Sequence, residues 1–257
     1  MALAALTMDE AGKAALKAEV IAARRYWAPF HEGLLQHDPA FLEAYLAFLH
    51  GPWRSGALPA KVREFVYIAA DLSCAHLYER GARRHMEFAL EAGATPAEIL
   101  QVIELTSALG TWTARQGLAM LGEEVARAGR QPPLPVAAEH LAALRQRFEP
   151  LLGEWPAEVD TLLSVAPAYV EAYLLFLTSP RRTGPLERKV VEFIGLAVAA
   201  SPATLYEPGM RFHIRRALAE GAAREELAEV LQLAGAISIH SCSIGVPALM
   251  SLLESPD

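Results

Sequence analysis

Apolar residues recur at every third or fourth position through most of the chain, which is the period of amphipathic helices. Residues 11–30 fit one such helix, and a second opens at Asp38 and stops at Gly51-Pro52, where a cap and a helix-ending pair bound it. Thr95 to Glu98 predicts a further helix start with a capping box and a proline in the first turn. No segment alternates convincingly as a half-buried strand does, so the pattern predicts an all-α fold.

A nine-residue segment occurs twice, first at 77–85 and again at 205–213, and it marks a longer duplication. Residues 39–121 align with 167–249 at a constant offset of 128 without a gap, and roughly 40 per cent of the aligned positions are identical. The proline-rich stretch 131–135 cannot continue a helix. We therefore predict two homologous units, 1–130 and 131–257, packed about a pseudo-twofold axis.

Composition narrows the classes of protein to which the chain can belong. A hydrophobic fraction of 53% supplies a sizeable core, while a net charge of −7 without a basic run argues against nucleic acid as a partner. The first residues lack the features of a signal peptide, and no stretch approaches the roughly 20 apolar residues that span a bilayer. Cys74 and Cys242 form no disulfide framework, so we expect a cytoplasmic protein without membrane contact.

The duplicated segment contains the side chains best suited to chemistry. A tyrosine and a histidine stand seven residues apart in each copy, which places them on one helical face after two turns. Each copy also has a glutamate in an apolar helix, which is costly to bury without a partner. A Glu–His pair would satisfy both groups, either as a structural bond in the core or as the acid–base pair of a site, and the sequence leaves both interpretations open.

These residues resemble the carboxymuconolactone decarboxylase family, which includes the alkylhydroperoxidase D-like proteins. The likeness rests on Glu64, Leu77-Tyr78, His85 and Gly93-Ala94, and on their counterparts 128 residues later. It covers nearly the whole chain as two tandem units. The resemblance implies an alkylhydroperoxidase D-like fold of about six helices per unit, and a homotrimer of chains that reproduces a hexamer of single units.

The peroxidase branch of that family carries a Cys-x-x-Cys pair, which this chain lacks. Cys74 has no second thiol close in sequence, and its counterpart in the second copy is Pro202. A dithiol relay needs an attacking and a resolving thiol within bonding distance. Thiol-dependent hydroperoxidase activity is therefore disfavoured, and we expect both cysteines to be small buried hydrophobic residues.

Decarboxylation of a carboxylated lactone sets requirements that the repeated residues can meet. The carbanion left by carbon dioxide delocalises into the unsaturated lactone carbonyl, so no cofactor is required, and the site needs an oxyanion donor and an acid. The expected catalytic residues are Glu192, His213, Tyr206, His240, Glu64, His85 and Tyr78. The expected substrate-binding residues are Arg211, Arg83 and His76. Each has an ordinary alternative, because tyrosines are often core residues and arginines are often solvated or paired with a neighbouring acid.

The two copies differ at their histidines. His76 aligns with Thr204, and His240 aligns with Trp112; His240 and its neighbours fit the family's pattern, so we expect the second copy to be the more complete site. None of these histidines has the i, i+3 or i+4 spacing of helical metal ligands, so no metal is expected.

The leading hypothesis is a cofactor-independent carbon–carbon lyase that acts on a carboxymuconolactone-like substrate in aromatic-compound catabolism. The alternatives are a non-catalytic helical oligomer that binds a small molecule and the disfavoured thiol-dependent antioxidant protein. The first two differ in whether Glu192, Tyr206 and His213 converge on a solvent-reachable pocket or lie sealed in packing.

Overall fold

The structure is a computed structural model that describes residues 8–130, 136–156 and 158–254. No strand occurs in these ranges, and the predicted all-α class is confirmed. The helices of the first copy are α1 Glu10–Arg24, α2 Pro29–His37, α3 Pro39–Ser55, α4 Ala60–Asp71, α5 Glu79–Glu91, α6 Pro96–Leu109 and α7 Trp112–Arg127. Those of the second are α8 Ala138–Leu152, α9 Glu158–Val165, α10 Pro167–Thr183, α11 Arg188–Ala200, α12 Glu207–Ala219, α13 Arg224–Ala236 and α14 His240–Glu254. The predicted connector 131–135 lies outside the described residues.

The helices of the second copy repeat those of the first at the offset of the alignment. Every helix from α8 to α14 begins and ends within one residue of the position 128 beyond its counterpart. This holds for α8 and α9 as well, although they precede the aligned segment. In the described residues each copy therefore contains seven α-helices, one more than the resemblance implied.

Two helix ends differ from the prediction, and one start agrees with it. The first helix ends at Arg24 rather than near residue 30, because Arg25 adopts a left-handed conformation with φ 61° and a new helix starts at Pro29. α3 continues through Pro52 to Ser55, since a proline in the last turn removes only one backbone hydrogen bond. Thr95 caps α6 with the expected capping box.

Contacts divide the chain into two compact units that cut across the repeats. The smaller unit comprises residues 1–57 and 235–257, in which α2 packs against α14. The larger unit comprises residues 58–234 and contains α4 to α12 with most of α13. The division of the sequence at residue 130 stays a prediction.

Within the larger unit, the two copies exchange equivalent interactions. α4 packs against its counterpart α11. The side chain of Gln101 accepts a hydrogen bond from the Leu186 backbone at 2.7 Å, and the side chain of Glu229 accepts one from the Leu58 backbone at 3.2 Å. At the offset of 128, Leu58 is equivalent to Leu186 and Gln101 is equivalent to Glu229. The two bonds are therefore equivalent, and each joins one copy to the other. Reciprocal bonds of this kind are what a pseudo-twofold axis produces.

α4 and α11 form the centre of the larger unit, because about three quarters of their residues are buried. Phe65 and Phe193, which are equivalent, are at most 1% exposed. Each helix nevertheless contains one buried glutamate, at Glu64 and at Glu192. A buried carboxylate needs a charged or hydrogen-bonding partner, and these partners define the site.

One helical run is long and apolar enough to cross a membrane by length and composition. It extends over Arg224–Leu253, and 11% of its most apolar window is buried. The expectation that no stretch approaches that length is therefore wrong, although a single such run is weak evidence of insertion. Cytoplasmic location and the lack of membrane contact stay predictions.

Candidate active site

In the first copy, α4 and α5 bring Glu64 and His85 together. Nδ1 of His85 lies 2.6 Å from Oε2 of Glu64, and both side chains are less than a tenth exposed. The ring of Tyr67, one turn of α4 beyond Glu64, stacks on the imidazole with centroids 4.3 Å apart and planes 16° apart. The first-copy imidazole is thus bonded on one nitrogen and covered on one face.

In the second copy, α11 and α12 bring Glu192 and His213 together in the same way, with Nδ1 of His213 2.7 Å from the carboxylate. Arg181 of α10 also contacts this pair. Its guanidinium donates to both oxygens of Glu192, at 2.5 Å and 3.4 Å, and its side chain is 8% exposed. The second copy therefore contains a buried Arg–Glu–His cluster.

The electrostatics of this cluster keep Glu192 ionised. Burial is the largest influence and favours the neutral acid, but the charge of Arg181 and the bond from His213 outweigh it together and hold the pKa of Glu192 at about 2. The carboxylate is therefore a permanent acceptor at any physiological pH. Because it accepts from Nδ1 of His213, it fixes the orientation of the imidazole in the cavity wall.

His213 lies in the wall of a partly open cavity of about 490 Å³. The cavity is contained in the larger unit, and its walls come from α10, α12, the first turn of α7 and the segment between α8 and α9. Its volume falls in the range of small-molecule sites. Its polar lining includes Arg181, Tyr206, Arg211, His213 and Arg215, beside the aromatic rings of Trp112, Trp155 and Phe212.

The two predicted tyrosines occupy equivalent places, since Tyr78 precedes α5 and Tyr206 precedes α12 as N-cap residues. Tyr206 lines the cavity, and its ring lies 4.5 Å from that of Trp112, centroid to centroid. Tyr78 is half-buried beside His76, with ring centroids 6.0 Å apart. Burial lowers the pKa of His76.

The predicted arginines are exposed and already have acidic neighbours. Arg83 lies 3.5 Å from Glu87, and Arg211 bonds Glu207 at 2.7 Å. This is the ordinary alternative that the sequence left open for both. Arg211 nevertheless lines the cavity, so its head group can exchange one carboxylate for another.

His240 and the two cysteines are the other residues about which the sequence made a prediction. His240 is the first residue of α14, in the smaller unit, and is half-buried. Both cysteines are free thiols, Cys74 exposed and Cys242 half-buried. The expectation that they are buried is wrong, since Cys74 stands in the loop between α4 and α5 rather than on an apolar helix face.

Arg181 and Trp112 are lining residues that the sequence did not identify. Both lie at positions where the copies differ, because Arg181 aligns with Trp53 and Trp112 aligns with His240. A search for repeated residues passes over such positions. The sequence does place an arginine in the helix that precedes the one with the duplicated glutamate. Only the folded structure shows that Arg181 contacts Glu192.

Comparison with known proteins supplies the context for this geometry. Residues 39–123 and 167–254 each match the model of the carboxymuconolactone decarboxylase family. The crystal structure of a Burkholderia xenovorans LB400 protein, provisionally named a gamma-carboxymuconolactone decarboxylase subunit, is similar with a TM-score of 0.89. That protein is 37% identical, and the match covers 94% of this chain and 97% of that one.

Comparison with curated proteins found no significant match. The family match covers the duplicated helices of both copies, and the similar structure extends over nearly the full length of both chains. The chain therefore belongs to the carboxymuconolactone decarboxylase family, as a tandem-repeat member with two family units in one polypeptide.

Proposed function

We propose that the protein decarboxylates a small carboxylated lactone, similar to gamma-carboxymuconolactone, without a cofactor. The observation that carries the proposal is the Glu192–His213 pair in the wall of the 490 Å³ cavity. An ionised carboxylate behind an imidazole that faces a ligand cavity is the arrangement of a general acid–base pair. The family and the similar Burkholderia protein support the reaction class.

The reaction breaks the bond between the lactone ring and its carboxylate carbon. The electron pair of that bond moves into the unsaturated lactone system and places negative charge on the carbonyl oxygen, while carbon dioxide leaves. The imidazolium form of His213 has an N–H at Nε2 that stabilises this oxyanion and then delivers its proton to carbon. A donor at such a position contributes about 3 to 4 kcal/mol to the transition state.

The remaining residues orient the substrate and the imidazole. Tyr206 lines the cavity, and its hydroxyl is a second hydrogen-bond donor besides the imidazole N–H. Arg211 lies in the same wall and can hold a substrate carboxylate at two points in place of Glu207. Arg181 is committed to Glu192, so its role is to keep that carboxylate charged and in place.

The first copy supplies a matched control for the experiment. His213→Ala and His85→Ala remove equivalent buried imidazoles, each bonded to a glutamate. With gamma-carboxymuconolactone as substrate, we expect His213→Ala to lower the rate of carbon dioxide release by a hundredfold or more, at unchanged helicity. His85→Ala should keep most of the activity.

Two results would oppose the proposal. Unchanged turnover in His213→Ala removes this residue from the mechanism. If the unmodified protein binds the lactone saturably but releases no carbon dioxide, the non-catalytic small-molecule binder is the better description.

We also propose that the chain associates with copies of itself as a trimer. The support is the outer face of α14, where Ile244, Leu252 and Leu253 are 65%, 75% and 59% exposed. Apolar exposure of this kind is typical of contact surfaces. Light scattering after size-exclusion chromatography should give three chains, and Leu252→Glu should reduce the mass; a monomeric unmodified chain would refute the proposal.

A further inference from the structure

The two equivalent imidazoles lie against different residues of the helix that carries their glutamate. In the second copy, His213 lies against Gly195 of α11. In the first copy, the residue at that position is Tyr67 of α4, which stacks on His85. Each of these residues is three positions beyond the glutamate, which places both on one helical face. The copies thus differ at the one position directly beneath the imidazole.

The fit between His213 and Gly195 leaves no room for a side chain. A Cβ atom on Gly195 would lie 2.2 Å from Cε1 of His213, 2.4 Å from Nδ1 and 2.6 Å from Nε2. Such distances are below any real carbon contact, so the imidazole occupies the volume that a methyl group would take. In the first copy an aromatic ring fills that volume, with 4.3 Å between ring centroids.

A glycine at position 195 also lowers the stability of α11. It lies in the middle of α11, among residues with larger side chains, and it does not have a left-handed backbone that would require glycine. Glycine inside a helix is about 1 kcal/mol less favourable than alanine. The close approach of the His213 ring is the physical reason for a glycine at this position.

We infer that Gly195 is a positioning residue that lets the His213 imidazole lie flush on α11, with Nδ1 on Glu192 and the ring in the cavity wall. In the first copy His85 keeps the same bond to its glutamate, but its ring stacks on Tyr67 instead of lying directly on the helix. The catalytic consequence rests on the proposed decarboxylation, whereas the positioning itself does not.

A double-mutant cycle tests the positioning without any substrate. Gly195→Ala should lower the melting temperature, although alanine is the better helix former. In the His213→Ala background the same change should raise it, since the ring that blocks the methyl group is gone. Gly117→Ala in α7 is the control, because a Cβ there has nothing within 4 Å.

The same variants distinguish a failure of the Gly195 inference from a failure of the proposed decarboxylase function. Equal changes in melting temperature in both backgrounds would overturn the inference. If Gly195→Ala alone does not fold, the His213→Ala background decides by itself: the inference expects Gly195→Ala to raise the melting temperature there, and a fall would overturn it. Where Gly195→Ala folds, kcat for carbon dioxide release should fall by about a hundredfold with little change in KM, the scale of a 1 Å misplacement. An unmodified protein without decarboxylase activity would refute the proposed function and leave the stability cycle as the test of Gly195.

Discussion

Replacing Arg181 with methionine removes the positive charge of the Arg–Glu–His cluster and preserves most of the side-chain volume. Glu192, whose side chain is 3% exposed in the unmodified protein, keeps only His213 of its two partners in this cluster. Breaking a buried ion pair by deleting one partner is typically destabilising by about 3–5 kcal/mol, because the other charge stays buried. The structure therefore predicts a loss of stability well beyond that of an exposed arginine.

The lowered pKa of Glu192 gives a second, independent value for the contribution of its partners to stability. A folded value of about 2 against the ordinary 4.5 corresponds to about 3 kcal/mol of stability at neutral pH. Because the folded pKa is lowered, this contribution is present above pH 4.5 and is lost as the pH falls towards 2. In Arg181→Met the pKa of Glu192 rises, since burial still favours the neutral acid, and the acid-side loss of stability begins at higher pH.

Urea unfolding of Arg181→Met between pH 4 and pH 8 measures both effects, with Arg182→Met, an exposed neighbour, as the control. We expect a loss of about 3 kcal/mol at pH 7 for Arg181→Met and little change for Arg182→Met. Equal stability of the two variants, with unshifted pH profiles, would refute the assignment of Arg181 to Glu192.

Two further predictions concern other buried polar groups. Burial raises the pKa of Asp71 to about 8, so its contribution to stability is fully present below the ordinary value of 3.8 and is lost as the pH rises through 8. Asp71→Asn should therefore gain in melting temperature relative to the unmodified protein between pH 5 and pH 8; a constant difference would contradict this. Gln101 donates to the Pro180 carbonyl at 2.7 Å and accepts from the Leu186 backbone, and so fixes the chain around Arg181. Gln101→Met leaves two backbone groups unsatisfied, and urea unfolding should show a loss of about 2 kcal/mol or more together with reduced turnover, whereas exposed Gln232→Met should show neither.

Much of this site could be anticipated because it is local and repeated. The seven-residue spacing of Tyr206 and His213 and the placement of a glutamate in an apolar helix depend only on helical period and burial cost. The structure brings each glutamate to its histidine, at 2.6 Å and 2.7 Å. Their catalytic role stays a prediction, since distance alone does not distinguish a structural pair from an acid–base pair.

The helical class, the duplication and the pairing of glutamate with histidine could be predicted from the residues alone, because they follow from short-range periodicity and repeated identities. The arrangement around each pair depends on how the helices pack, and the packing places His213 in the wall of a cavity. Arg181 and Gly195 act on the imidazole site through space, from positions where the copies differ, and Tyr67 covers its counterpart. Packing between helices depends on the shape of every side chain at the contact, so the difference between Gly195 and Tyr67 lets one imidazole lie directly on its helix while the other stacks on an aromatic ring.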